Sequence, residues 1–177
     1  MIENLDKALV YIFKAEAGFQ SDPHDTGNLL PDGRAGCTNL GVTQKAWEAY
    51  VGHPVTWADM RALTTVNVTP FYKRKYWDVV RGDDLPTGID YMMFDFAINA
   101  GPGRAIKLLQ ECVGERIDGV LGPISMSTIK AMPIKLLIER FTDVKEKYYK
   151  SLNNPKYEKG WLARNETVEI NALQMYV

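Results

Sequence analysis

Two cysteines, two histidines and no long apolar run set the first limits on this 177-residue sequence. Cys37 and Cys112 cannot make a disulfide framework and have no partner at metal-ligand spacing, so two unpaired thiols are expected. His24 and His53 lie in no His-Glu-x-x-His pattern. With so few ligands no metal is expected, and no cofactor either. The chain has no Gly-rich phosphate loop and no Gly-x-Ser-x-Gly elbow, and a thiol nucleophile would have to be Cys37 paired with His24 or His53. No stretch approaches the roughly 20 apolar residues of a membrane span. The first residues carry acids where an export signal needs positive charge. The expectation is a protein kept in the cytoplasm until a separate pore or export route releases it. A formal net charge of −1 argues against a general nucleic-acid binder, which needs a concentrated excess of Lys and Arg.

What is present is ordinary for a packed domain: 46% hydrophobic and 24% charged residues, with no repeat, low-complexity tract or long linker. Charge is uneven. Residues 1–60 hold four Lys/Arg against eight Asp/Glu, and 130–164 hold nine against four. The basic end reads first as solvated helix faces and second as a surface for an anionic polymer.

Leu5, Ala8, Leu9, Ile12 and Phe13 follow helical spacing, with Asn4 or Asp6 as the expected N-cap and Gly18 as the stop. From Phe19 to Thr43, Gly, Asp, Asn and Pro predict turns with a short irregular hairpin around Thr38 to Val42. Helices are expected at 44–51, 56–62 and 68–78, then after a break at Gly82 to Pro86 at 87–100, 104–113, 123–131 and 134–152. A final helix is expected after Asn165. The expected fold class is mainly α with one irregular loop and hairpin region near residues 19–43.

Extending the first helix's apolar stripe by one step reaches Glu16. There, apolar surroundings and the negative end of the helix dipole both disfavour the ionised carboxylate, which suits a general acid. On spacing alone an equal reading is that the helix ends by Ala15 and Glu16 turns to solvent. A partner carboxylate is available in Asp22, Asp25 or Asp32 of the polar loop, though loop Asp residues are commonly turn formers. Tyr50, Tyr72, Tyr76, Trp77 and Trp161 read mostly as packing and secondarily as flat faces for a sugar. Asn99 either reaches a substrate amide or hydroxyl or bonds its own helix.

The stretch Lys14 to Asp25 (KAEAGFQSDPHD), followed by Gly36 to Thr43 (GCTNLGVT), closely resembles the signature of glycoside hydrolase family 108, phage and bacterial N-acetylmuramidases. The likeness continues through Tyr72 to Trp77 (YKRKYW), Gly82 to Pro86 (GDDLP) and Asp90 to Gly101 (DYMMFDFAINAG). Leu108 to Gln110, Asp118 to Pro123 and Gly160 to Arg164 look like the peptidoglycan-binding region that follows in that family.

The resemblance implies a lysozyme-like helical fold. Residues 1–95 would be its catalytic part and 96–177 a helical peptidoglycan-binding part packed on it, in one compact monomeric domain. It implies Glu16 as catalytic acid, with Asp25 eight residues beyond and Thr38 as a phage-lysozyme-like triad, and bacterial peptidoglycan as the partner. Tyr50, Trp77 and Asn99 are the substrate-binding candidates. An endolysin is the implied setting. The sequence departs from the family pattern at Ala17 and in an insertion from Asn28 to Ala35, which puts Asp25 and Thr38 in question more than Glu16. A lytic transglycosylase, a chitinase and a non-catalytic wall-binding module remain as alternatives.

Overall fold

The computed structural model describes residues 2–15, 18–22 and 28–176, and the statements below concern these. The fold is 69% helical with one two-stranded antiparallel sheet, the mainly α, lysozyme-like class expected. Nine α-helices follow in order: α1 Ile2–Ala15, α2 Gln44–Val51, α3 Trp57–Arg61, α4 Thr65–Tyr72, α5 Ile89–Ala100, α6 Pro102–Val113, α7 Pro123–Ala131, α8 Ile134–Ser151 and α9 Pro155–Tyr176. The strands are β1 Thr38–Asn39 and β2 Val42–Thr43. No described helix is long and apolar enough to cross a membrane.

The chain divides into two compact units, Leu9–Arg74 and the combination of Met1–Ala8 with Lys75–Val177. In the Leu9–Arg74 unit, Leu9 and Ile12 of α1, Val42, Trp47, Val68, Phe71 and Tyr72 are buried together as its core. Phe13, Phe71 and Tyr72 pack edge to face, with centroids 5.5 to 5.7 Å apart. Helices α3 and α4 each begin with a reciprocal capping box, Thr56 with Asp59 and Thr64 with Asn67, which satisfies amides that a five-residue and an eight-residue helix would otherwise leave open. Pro70 lies inside α4, and the chain then widens into a π turn at Lys73–Trp77. The single helix expected over 68–78 is therefore two segments.

The other unit is built around α5, against which α6, α8 and α9 pack. The reading of α5 as one apolar face understates it. Every residue from Ile89 to Ala97 is buried, including Asp90 and Asp95. A helix covered on all sides must satisfy its acids internally. Asp90 accepts from Asn4 Nδ2 (2.7 Å) and from the amides of Gly88 and Tyr91, while Asp95 accepts from Arg164 Nη2 at 2.8 Å. Burial pushes the Asp90 carboxyl up, and these donors pull against it. Asn4 therefore sits inside α1, which begins at Ile2, and is not its cap. The last helix begins at Pro155, not after Asn165: proline suits a first helical turn, and Asn153 precedes it in a left-handed conformation (φ 49°). Cys37 and Cys112 are both buried and free.

Candidate active site

The loop that follows α1 is held by an antiparallel bridge between Gln20 and Thr38. The Gln20 amide donates to the Thr38 carbonyl (2.9 Å) and the Thr38 amide donates back (2.8 Å). Strand β1 continues from Thr38 and turns through Leu40 and Gly41 into β2, pairing Thr38 with Thr43 and Asn39 with Val42. Both turn residues have positive φ, 50° and 73°, the backbone that lets a two-residue turn follow the strand twist. Leu40 bears that strain because Tyr72 Oη donates to its carbonyl at 2.8 Å.

Behind the bridge lies Asn28, only 4% exposed. Its Nδ2 donates to Gln20 Oε1 (2.9 Å) and to the Asp22 carbonyl (3.0 Å). Two acceptors on that side fix the amide, so Oδ1 faces Thr38 and accepts from its hydroxyl at 2.9 Å. The Asn28 carbonyl takes the Gly36 amide at 2.6 Å, and a Cβ on Gly36 would stand 2.7 Å from that oxygen. Glycine is required there by space. With its one proton given to Asn28, the half-buried Thr38 hydroxyl has only lone pairs to offer, so toward a water it is an acceptor.

The segment from Asn28 to Ala35 thus closes as a narrow hairpin, with a second bridge between Leu29 and Ala35. Asp32 forms the turn at its tip. It accepts from the Arg34 amide and pairs with Arg34 Nε at 2.7 Å, which holds its carboxyl below the usual range. Asp32 is therefore a turn former. Arg34 also reaches Glu48 of α2, whose carboxylate accepts from the Val55 amide and Gln44 Nε2. The hydrogen bond from Val55 contributes most to keeping Glu48 ionised. Gln44 in turn accepts from the Cys37 thiol. Burial raises the Cys37 thiol's pKa, and its sulfur is 0% exposed, which removes it as a nucleophile.

Glu16 and Asp25 lie outside the described residues, as does His24. The described frame brackets both in the chain: α1 ends at Ala15, and Asp22 and Asn28 flank the stretch that holds Asp25. Of the substrate-binding candidates, Tyr50 is half-buried between Trp47 (5.3 Å) and Phe71 (5.4 Å) in the same unit as Thr38. Asn99 is exposed in the other unit and donates to the Asp95 carbonyl at 2.7 Å, the self-bonding alternative. Trp77 is a correction. It is 0% exposed, packed edge-on to Phe94 with Nε1 donating to Asp83, and has no face to offer a sugar.

An aromatic that sequence reasoning passed over is Trp57, the first residue of α3. It is 38% exposed, donates from Nε1 to the Ala35 carbonyl (3.1 Å) and meets Phe19 edge to face at 6.3 Å. Arg61 lies over the other ring, 4.4 Å from its centroid. Phe19 precedes Gln20 of the bridge, so this aromatic and cationic shelf adjoins the loop frame. The signal available was position: a large ring at the first turn of a very short helix has little neighbouring helix to cover it. No group of His, Cys, Asp and Glu among the described residues could hold a metal.

The glycosyl hydrolase 108 family matches residues 9–101, a span that contains the second half of α1, the loop and Thr38. A solved structure of SagA from Brucella abortus is similar at 34% identity over 99% of this chain and 97% of that one, with a TM-score of 0.84. No curated protein matches.

Proposed function

Because the chain belongs to the glycosyl hydrolase 108 family, we propose that it is a muramidase that cleaves the β-1,4 bond between N-acetylmuramic acid and N-acetylglucosamine in peptidoglycan. Glu16 protonates the leaving oxygen as the bond from the muramic anomeric carbon breaks. A water held by Asp25 and Thr38 adds to that carbon, and its proton passes to the carboxylate side. The observation that carries this reading is the Asn28–Thr38 lock. It orients a hydroxyl as a pure acceptor, the role a water-positioning group needs, on β1 within the sequence stretch that follows Asp25. The insertion that set Thr38 in question supplies the residue that fixes it.

Trp57, beside Phe19, offers an aromatic edge for a sugar ring in the Leu9–Arg74 unit. Residues 96–177 serve as the wall-binding part. Replacing Glu16 by Gln tests the acid. Loss of wall lysis by about a thousandfold, with wall binding kept, is the expected outcome. Lysis at the wild-type rate would remove Glu16 from the mechanism.

A further inference from the structure

Helix α2, the turn that follows it and the capped starts of α3 and α4 enclose a cleft of about 470 Å³ within the Leu9–Arg74 unit, lined by Trp47, His53, Val55, Asp59, Leu63 and Asn67. Its walls are fixed by bonds that leave other atoms over. The Val55 amide donates to Glu48 and its carbonyl accepts from Gln44 Nε2 at 2.8 Å, which pins the turn against α2. Asp59 Oδ2 accepts from the Thr56 amide and hydroxyl, both at 2.7 Å, so Oδ1 remains as an acceptor. Asn67 Oδ1 takes the Thr64 amide and hydroxyl in the same way. A backbone N–H can only donate, so the Asn67 side chain cannot be turned round and its Nδ2 remains as a donor. His53 Nδ1 meets the Pro54 carbonyl at 3.0 Å, which makes Nδ1 the donor and Nε2 the acceptor of the neutral ring. Trp47 is only 9% exposed, and its indole N–H has no acceptor among the described residues.

The cleft thus combines N–H donors, acceptors and an apolar lining of Val55, Ala62 and Leu63. That mixture selects against ions. An anion meets the Asp59 carboxylate, which the Thr56 hydroxyl keeps ionised, and a cation meets the Trp47 and Asn67 N–H groups. A neutral group that both accepts and donates, and that ends in a methyl, matches in kind: a secondary acetamide, with its carbonyl for the Trp47 or Asn67 N–H, its N–H for Asp59 Oδ1 and its methyl for the apolar lining. The volume lies in the range of about 300–1,000 Å³ typical of small-molecule sites, room for the ring that carries the acetamide as well.

We propose that this cleft binds the acetamido group of an N-acetylated sugar, a glycan contact additional to the groups that break the bond. That the amide comes from a sugar and not from a peptide rests on the peptidoglycan reading above. A strand held there is read by its acetyl groups and not by its ring faces alone.

Nuclear magnetic resonance of the full, nitrogen-labelled chain tests this, because its four tryptophans give four indole signals and the Trp47 signal is the one lost in Trp47→Phe. Three probes are titrated into the millimolar range, where a site of a few hydrogen bonds saturates: chitobiose, cellobiose (the same linkage without acetamides) and N-acetylalanine methylamide (a peptide amide without a sugar). Saturable movement of the Trp47 signal with chitobiose alone is the expected result, at an affinity that falls about tenfold or more in Asp59→Asn and in Asn67→Asp. Each of these variants keeps its helix cap, since the retained oxygen still accepts from Thr56 or Thr64, and exchanges only the spare atom, so the melting temperature stays near the parent's. A Trp47 signal that ignores chitobiose, that follows cellobiose or the peptide amide equally, or that titrates as in the parent in either variant overturns the inference. If peptidoglycan is cleaved while Trp47 does not respond, the cleft assignment fails and the muramidase reading stands. If Trp47 responds as stated while purified peptidoglycan is untouched, the reverse holds.

Discussion

Lys145 of α8 sits against the unit's own interests. It is 0% exposed, its ammonium has no hydrogen-bond partner among the described residues, and the nearest compensation is two ring faces, Phe96 at 5.3 Å and Phe141 at 5.9 Å. Burial draws its pKa from 10.5 down to about 8, against the opposing charges of Asp95 and Glu169. At roughly 1.4 kcal/mol per pH unit, that gap corresponds to about 3 kcal/mol of folding stability forfeited at neutral pH. The unfolded chain holds more protons between pH 8 and 10.5, so stability from this group rises with pH across that window. Lys145→Met keeps the length of the side chain and removes the charge, and Asp95 retains Arg164 at 2.8 Å. Near pH 7 the variant should melt roughly 6–12 °C above the parent, the difference shrinking as pH approaches 10. Cys112 acts in the opposite sense. Burial raises its pKa from 9 to about 11, so it lowers stability as pH climbs between those values. It is common to both proteins and cancels in the difference. Thermal melts by circular dichroism from pH 6 to 10 read this directly. A variant that melts below the parent at neutral pH, or a difference that does not vary with pH, would refute the argument.

Asn28→Ala removes three hydrogen bonds from a buried position. It should cost about 2–3 kcal/mol in urea unfolding and lower kcat for wall hydrolysis more than it raises KM, because Thr38 loses its orientation. Trp57→Ala should lower the melting temperature by a few degrees, through the lost Phe19 contact and the lost hydrogen bond to the Ala35 carbonyl, and raise KM for soluble glycan oligomers about threefold to thirtyfold, the scale of one lost aromatic stacking contact. Asn4→Leu deprives buried Asp90 of its shortest side-chain donor and should destabilise by about 2–3 kcal/mol, measured by urea unfolding at pH 7. Equal stability would mean that Asp90 is held by its two backbone amides alone.

Much of the fold was legible because its helices obey simple periodicity. Helices at 44–51 and 123–131 lie where spacing put them, and the hairpin at Thr38 to Thr43 was marked by Gly41. The misses have separate physical causes. The start of α9 was hidden by Gly160, a poor helix former placed within a turn or two of Pro155, and tertiary packing overrode that preference. Asn4 looked like a cap because caps are where exposed Asn is favoured, whereas here a buried acid some 86 residues on claims it. The lysines of 130–164 read as a solvated basic face, yet Lys145 is enclosed by aromatics from two helices, a contact that no local pattern encodes. At the candidate site, Thr38 was marked by the family resemblance, but Asn28 was not: it lies in a segment whose sequence reads as an insertion. Trp77 was over-read because an aromatic's exposure is set by what packs on it, here Phe94 from seventeen residues away in sequence.

The central claim is that a water, oriented by Thr38 and Asp25 and set against the acid Glu16, ends up on the muramic anomeric carbon. Digestion of purified peptidoglycan in heavy-oxygen water, with mass analysis of the products, tests it most directly. The account predicts new reducing ends on N-acetylmuramic acid, each carrying one heavy oxygen. Anhydro-muramic ends without label, or labelled reducing ends on N-acetylglucosamine, would contradict it.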